Sequence, residues 1–436
     1  MQVLSLFGVF LSVIVFIVLI YKGVHILISS ILSSLVAIVF SGQPLLETIK
    51  NPFIPGLTGV FGSYFLIFAL SALLGKLVSD SGIAKSLAIA LANIARKSEK
   101  HKKLFGALSL VVLNAILTFS GINLFVVIFT IVAIGKDLFE ELDIPWHLYG
   151  LATIGSATFT VSMLPGTPAV QNLVPMKYLG TTPMAAPTIG IASTILMLIL
   201  CITYSKYAVD KTIKAGEGFL PTGALIKESQ ASVGDQELSP VLKCIIPLAT
   251  TFIVMNVLKQ APEVALLSAV IVTIVMFWNK FTNLKATINN GFTAAINPLL
   301  ALSAASAYGK VVAISPGFEL FKDSMFGLPL PSIVILIISV LVPTVVTGSS
   351  SASLTISFEA FLDKYLATGF DPQVIHRVAT MTSNMSLMPH CAGVVNALTV
   401  SKLTHKQVYK HYFIISICLM FVTVVFAAIL ATLGVV

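Results

Sequence analysis

Small polar residues interrupt otherwise lipid-compatible stretches of this chain at four places. Thr118-Phe119-Ser120-Gly121-Ile122-Asn123 lies at the centre of the apolar run 104–136, and Thr347-Gly348-Ser349-Ser350-Ser351 at the centre of 330–367. Two further apolar runs break at Pro165-Gly166-Thr167-Pro168 and at Pro389-His390. At membrane depth, backbone freed from a helix must be satisfied by protein or by a water-filled cavity. Four such breaks therefore predict a shared polar cavity. A helix that starts at a break turns free N–H groups and the positive end of its dipole inward, which suits an anion, while freed carbonyls suit cations. Hydroxyls and amides both donate and accept, which suits a carboxylate that carries hydroxyl groups.

The substrate-binding candidates follow from the breaks. The first tip offers Thr118, Ser120, Gly121 and Asn123; the second offers Thr347, Gly348, Ser349, Ser350 and Ser351. The first proline break adds Gly166 and Thr167, and the second adds Asn384, His390 and Gly393. An isolated Ser in a membrane helix more often bonds back to its own backbone. A run of small polar residues echoed in the other half favours a site. Gln171 and Asn172 fit either the site or a helix end near water. His390 is the titratable side chain at a break, and histidine titrates nearest physiological pH. It is the proton-coupling candidate; the alternative is a neutral ring donating to substrate or to a neighbouring carbonyl. Arg377 and His376 read as interfacial anchors, and Lys76 and Asp80 as groups that snorkel to the interface. No motif of a hydrolase, metalloprotease, P-loop or dinucleotide fold stands in a credible setting, so an enzyme is not expected.

The elements that position these residues come in two matching series. Leu70-Ser71-Ala72 through Gly75-Lys76 answers to Leu302-Ser303-Ala304 through Gly309-Lys310. The tips answer to each other, as do Pro165 and Pro389, and the offsets drift through 234, 227 and 224 in the same order. Paired breaks in two repeats are the mark of a secondary transporter with substrate held at the breaks. The first repeat, 1–206, is expected to hold spans 2–21, 25–41 and 57–79, a hairpin at 104–136, a broken span at 147–180 and a span at 184–206. The second, 241–436, is expected to hold spans 241–259, 262–280 and 291–312, a hairpin at 330–367, a broken span at 372–402 and a span at 410–434. Segments 81–95 and 317–327 read as surface arms. A straight helix over the 33 residues of 104–136 would overshoot a bilayer of about 30 Å, so two half-length helices meeting at a polar tip are expected.

Composition agrees. Charged residues are only 10% of 436 and apolar residues 57%, too few charges to cover a water-facing surface. The net charge of +8 comes from basic residues in short loops, which excludes a nucleic-acid stripe. With the N- and C-termini outside, 19 of 26 Lys and Arg fall on the inner face, as insertion requires, and the two repeats are inverted. The polar stretch 207–240 reads as a cytoplasmic linker. Residues 1–21 lack a basic n-region and a cleavage site and read as a first span. Cys201, Cys244, Cys391 and Cys418 show neither a disulfide framework nor zinc spacing, and no metal or organic cofactor is expected.

Several segments resemble the gluconate permease (GntP) family of the wider ion transporter superfamily. Leu66 to Gly82, with Leu74-Gly75-Lys76 and Asp80-Ser81-Gly82, is similar to an early GxxLGKxLxxSG region. Thr347-Gly348-Ser349-Ser350-Ser351-Ala352 is similar to a GSSxA-like tip. Met388-Pro389-His390-Cys391-Ala392-Gly393-Val394-Val395 resembles the LPHxGAV stretch of the hydroxybutyrate-type branch, and Thr404-His405-Lys406-Gln407-Val408-Tyr409 the LTHRxxY that follows it. The resemblance implies a prokaryotic plasma-membrane importer of a small hydroxylated monocarboxylate, commonly with protons, working as a homodimeric elevator. Where sugar-acid members have His-Pro-Gly-Pro, this chain has Leu164-Pro165-Gly166-Thr167, which favours 3-hydroxybutyrate or lactate over gluconate. The expected fold is an all-α inverted-repeat membrane protein with ten spans and two re-entrant hairpins. Its partners would be a small organic acid and the lipid bilayer. A sodium-coupled carboxylate or amino-acid carrier is the first alternative, and a channel the second.

Overall fold

The computed structural model describes residues 2–98, 101–158, 160, 162–228 and 238–436. Lys100 of the basic cluster and residues 229–237 of the linker lie outside the described residues. Every regular element among the described residues is helical. Helices Gln2–Tyr21 and Ile26–Ser41 lead into a long helix, Leu45–Asp80, and an arm, Ile83–Arg96. A hairpin of Lys102–Phe119 and Leu124–Glu141 follows, then an interrupted segment ending in Val170–Leu179, then Pro187–Lys214. The second half runs through the same kinds of element in the same order. Val241–Val257 and Pro262–Met276 precede the long helix Leu284–Ala313 and the arm Pro316–Phe326. Ser332–Thr347 and Ser350–Leu366 form a hairpin, Pro372–Ser383 and Ala392–Ser401 an interrupted pair, and His405–Thr432 closes the chain.

The helices run past the apolar windows that announce them. Pro187–Lys214 continues well beyond 206, carrying Lys211 and Lys214 in its last turn, where cations favour the negative end of the dipole. The first hairpin likewise reaches back to Lys102 and on to Glu141, so each arm has 18 residues, about 27 Å, and the expected half-length helices are longer than the apolar pattern suggests. Five helices among the described residues are long and apolar enough to cross a membrane alone, and Leu284–Ala313 with Pro316–Phe326 forms a further candidate bent by 84°. Ile26–Ser41 and Pro262–Met276 are apolar but shorter, with 16 and 15 residues.

The two long helices make the most extensive contact in the molecule. Glycine lets them approach. A Cβ on Gly56 would meet the Ala307 backbone at 2.9 Å, and one on Gly291 would meet Leu73 Cα at 2.8 Å. Small residues are what membrane helices use to bring backbones together without a hydrophobic drive from water.

Both hairpins are tied at their bases to different surroundings. At the first base Arg96 pairs with Glu141 at 2.6 Å and Lys103 with Asp143 at 3.2 Å. The linker packs there too, through Lys227 with Glu140 at 2.7 Å and the Phe219 N–H donating to Asp143 at 2.9 Å. At the second base Lys364 pairs with Asp323 of the neighbouring arm at 3.9 Å. The tips are sharp turns. Gly121 and Gly348 stand at φ +93 and +58, where a side chain is strained, and a Cβ on Gly121 would also strike Pro168 at 2.6 Å.

The first broken span is not an α-helix before its break. Trp146–Thr153 is a 3₁₀ turn and Ile154–Thr158 a π turn. The chain here presses against the first hairpin. A Cβ on Gly155 would strike the Val111 carbonyl, and Asn114 donates to the Ala152 carbonyl at 2.7 Å, taking an acceptor from the helix ladder.

Arg377 and His376 overturn the reading as interfacial anchors. Both are 0% exposed. The Arg377 guanidinium donates to the carbonyls of Ala185 (2.8 and 3.0 Å), Ser162 (2.9 Å) and Pro183 (3.1 Å), and to Asn172 Oδ1 at 3.1 Å. His376 donates from Nε2 to the same Oδ1 at 3.0 Å, while its Nδ1 meets Thr181 at 2.7 Å. Asn172 in turn donates to the carbonyls of Thr167 and Pro183, both at 2.9 Å. The first break thus supplies the carbonyls, and Asn172 together with the helix before the second break supplies the donors. Arg377→Met should lower the stability of the purified protein by about 3–5 kcal/mol, the range for stranding the partners of a buried charged group. Arg377→Lys should recover part of it, since an ammonium has fewer donors and no planar fork. Thermal unfolding in detergent reads the difference, and a native melting temperature for Arg377→Met would show that the carbonyls have other partners.

Candidate functional site

The hairpin tips and the restart points of both broken spans enclose a cavity of about 170 Å³. Four helices begin on its wall: Leu124–Glu141, Val170–Leu179, Ser350–Leu366 and Ala392–Ser401. The starts at Ala169 and Cys391 carry no side-chain cap. Ser349 caps its own helix by accepting from the Ala352 N–H at 3.4 Å. The long helices close the cavity with Phe68 and Ser71 on one side and Pro298 and Leu302 on the other. Among the described residues no Lys, Arg, Asp or Glu lines it, and His390 and Cys391 are its titratable side chains.

Most of the candidates meet here. Thr118, Gly121 and Asn123 line the cavity from the first tip, and Thr347, Gly348, Ser349, Ser350 and Ser351 from the second. Asn384, His390 and Gly393 complete it from the second broken span. Ser350 shares a hydrogen bond with Ser386 at 2.9 Å and donates to Asn384 Oδ1 at 3.4 Å, which joins the second tip to the second break. His390 donates from Nε2 to the Val346 carbonyl at 3.2 Å, because a carbonyl can only accept. That contact is the alternative open at sequence level, a ring donating to a neighbouring carbonyl. Gly348 leaves room for it: a Cβ there would come within 3.0 Å of the ring and 3.1 Å of Cys391 Cα.

Three candidates stand elsewhere. Ser120 is buried and donates to the Leu117 carbonyl at 2.7 Å, the back-bonding expected of an isolated serine. Gly166 sits at φ +90 with its N–H on the Pro183 carbonyl and its carbonyl on Asn256, both internal contacts. Thr167 is 0% exposed and accepts from the Ala169 N–H at 3.3 Å. Of the undecided pair, Gln171 lines the cavity, and Asn172 does not; its amide is spent on the Arg377 cluster. Two residues were missed. Ser71 donates to the Gly121 carbonyl at 2.5 Å and ties the first tip to a long helix. Ser386 bonds Ser350. The signal for Ser71 was present in the repeated Leu-Ser-Ala, but its repeat mate Ser303 bonds back to Leu299 at 2.9 Å, so the match carried no role.

Comparisons place this geometry. The uncharacterized transporter YxjC of Bacillus subtilis (strain 168) is 27% identical over 442 residues, covering 91% of this chain and 92% of that protein. Two solved structures share the fold. The YdaH transporter of Alcanivorax borkumensis has a TM-score of 0.60 at 15% identity, covering 89% of each chain. MtrF of Neisseria gonorrhoeae has a TM-score of 0.53 at 14% identity, covering 89% of this chain and 85% of that one. The family model described as GntP family permease matches residues 4–433. This multi-pass membrane protein is a transporter that belongs to the GntP family of permeases.

Proposed function

We propose that this permease imports a small hydroxylated monocarboxylate, of the size of 3-hydroxybutyrate or lactate, by proton symport across a prokaryotic plasma membrane. One observation carries the reading: four helices begin at a cavity whose described wall holds no Lys, Arg, Asp or Glu. Each helix start contributes a positive end of roughly half an elementary charge, so a carboxylate finds its counter-charge in backbone dipoles. Ser349 and Ser351 supply donors and acceptors for the substrate hydroxyl, with Asn123 and Gln171 opposite. A cavity of about 170 Å³ is smaller than the roughly 300–1,000 Å³ typical of drug-sized ligands, which supports a short acid. His390 is the proposed proton carrier on that wall, and a protonated ring beside the carboxylate lowers the net charge that crosses lipid.

The repeated order of elements supports two inverted repeats and an elevator. In that scheme the hairpins and broken spans move together against the crossed long helices, a homodimer holds the long helices still, and the first hairpin opens inward and the second outward. Both termini then lie outside.

Uptake by proteoliposomes with separate pH and sodium gradients tests the reading. Accumulation of 3-hydroxybutyrate or lactate driven by a pH gradient alone is expected, and accumulation that follows only sodium would assign coupling to a cation among the tip carbonyls. His390→Asn should keep exchange of labelled substrate while losing pH-driven accumulation; retained accumulation would move the proton elsewhere. Ser350→Ala should weaken substrate binding roughly tenfold, since it cuts the hydrogen bonds to Ser386 and Asn384 that join the second tip to the second break. Ser120→Ala should change it by less than about threefold, since that hydroxyl donates back to the Leu117 carbonyl of its own helix. Equal effects at the two serines would sink the assignment of the cavity. Cysteines replacing Lys97 and Asp371 should label from opposite faces of the membrane, and labelling of both from one face would rule out the inverted arrangement.

A further inference from the structure

Each long helix meets its own hairpin at the glycine of a Gly-Lys pair. A Cβ on Gly75 would meet Ile122 at 2.6 Å and Val126 at 2.8 Å, and one on Gly309 would strike Ile356. Past the glycine the two series part. Lys76 pairs with Asp80 of its own helix at 2.8 Å, and Asp80 accepts from Thr287 of the other long helix at 2.7 Å. Lys310 instead crosses to the second hairpin and pairs with Glu359 at 3.4 Å. At the hairpin offset of 227 the position answering to Glu359 is Val132, a buried apolar residue. The second hairpin therefore carries an ionic tie to its long helix at a position where the first hairpin has a buried valine.

The surroundings of Glu359 fit a group that changes protonation. Its side chain is 17% exposed, Oε1 also accepts from Tyr178 at 3.2 Å, and among the described residues Oε2 is buried without a hydrogen-bond partner. Lys177 and Tyr178 face it from Val170–Leu179, and Tyr64 from the first long helix. Ser332–Thr347 carries no titratable side chain. On Pro372–Ser383, His376 and Arg377 are engaged with Thr181, Asn172 and backbone carbonyls. On its own helix Asp363 and Lys364 stand about one turn away, with Lys364 turned to Asp323. Oε2, with no donor among the described residues, has room to bind a proton, and Lys310, 35% exposed, can then turn to solvent.

We propose that the Lys310–Glu359 pair is a proton-operated latch on the second hairpin. With Glu359 ionised, the pair holds the hairpin against Leu284–Ala313 and keeps its tip down over His390 and Cys391. A proton from the aqueous phase binds Oε2, the ion pair dissolves, and the tip lifts; loss of the proton to the same phase resets it. The latch rests on the proton-coupled reading above and names where that proton acts on a hairpin, in addition to the cavity group.

Cys391 reports the tip, since the Gly348 turn sits on its backbone. In a variant with Cys201, Cys244 and Cys418 replaced by alanine, the rate of maleimide labelling of Cys391 in detergent is compared with and without Glu359→Gln. Taking the rate ratio at each pH removes the thiol's own pH dependence. Glu359→Gln should label about tenfold faster at about pH 8, and the two should converge as the pH falls and the native carboxyl takes up its proton. A ratio near one at the higher pH, or a ratio unchanged as the pH falls, overturns the latch. The exchange Lys310→Glu with Glu359→Lys should restore slow labelling at about pH 8; labelling as fast as Glu359→Gln would overturn the pairing. Labelling needs neither substrate nor gradient, so absence of pH-driven uptake by the native protein would sink the coupling reading while leaving this result standing.

Discussion

Backbone groups freed at a helix break inside a membrane protein must be satisfied there, and one side chain does most of this for the first break. Among the described residues Arg377 pairs with no carboxylate; its hydrogen-bond donors are spent on three backbone carbonyls and one amide oxygen. A buried cation without a counter-ion is tolerable only when its donors meet fixed dipoles, and the carbonyls of the other break are those dipoles. Asn172 and His376 complete the arrangement.

That arrangement takes up carbonyls of the first break. The carbonyls of Ser162, Gly166, Thr167, Pro183 and Ala185 accept from Arg377, Asn172 and Asn256. The helix starts that remain at the wall present N–H groups. The same break therefore has these acceptors spent on Arg377 and two amides, while the helix start at Val170 remains on the wall. His390 fits the same pattern, since its ring takes the Val346 carbonyl that the second tip would otherwise leave open.

Around this centre the two long helices act as a tightly crossed frame. Gly56 and Gly291 bring their backbones together, while Gly75 and Gly309 let each hairpin lie close against its helix. A glycine contact offers packing with little shape to catch on, so what holds a hairpin in place depends on the polar groups beside it. The two halves share the contact and differ in those groups.

Much of this was legible in the chain. Hydropathy announced a membrane protein, and breaks at matching places announced a repeated order of elements. Runs of Thr, Gly, Ser and Asn marked both tips, and Gly121 and Gly348 take the left-handed turns those tips need. All three are local: lipid selects composition along each segment, and a turn selects the residue that can make it. Arg377 was misread because hydropathy sees a charge near the start of a span, whereas its acceptors lie 192 to 215 residues away along the chain. Ser120 and Ser71 were indistinguishable as residue types, and only the direction of each hydroxyl separates one that bonds its own helix from one that holds a tip. The Lys310–Glu359 pair was likewise invisible, since nothing in either segment names its partner. Which residues break a helix is decided along the chain; which groups then satisfy the break is decided by packing, where a side chain's direction and distance matter and its type alone does not.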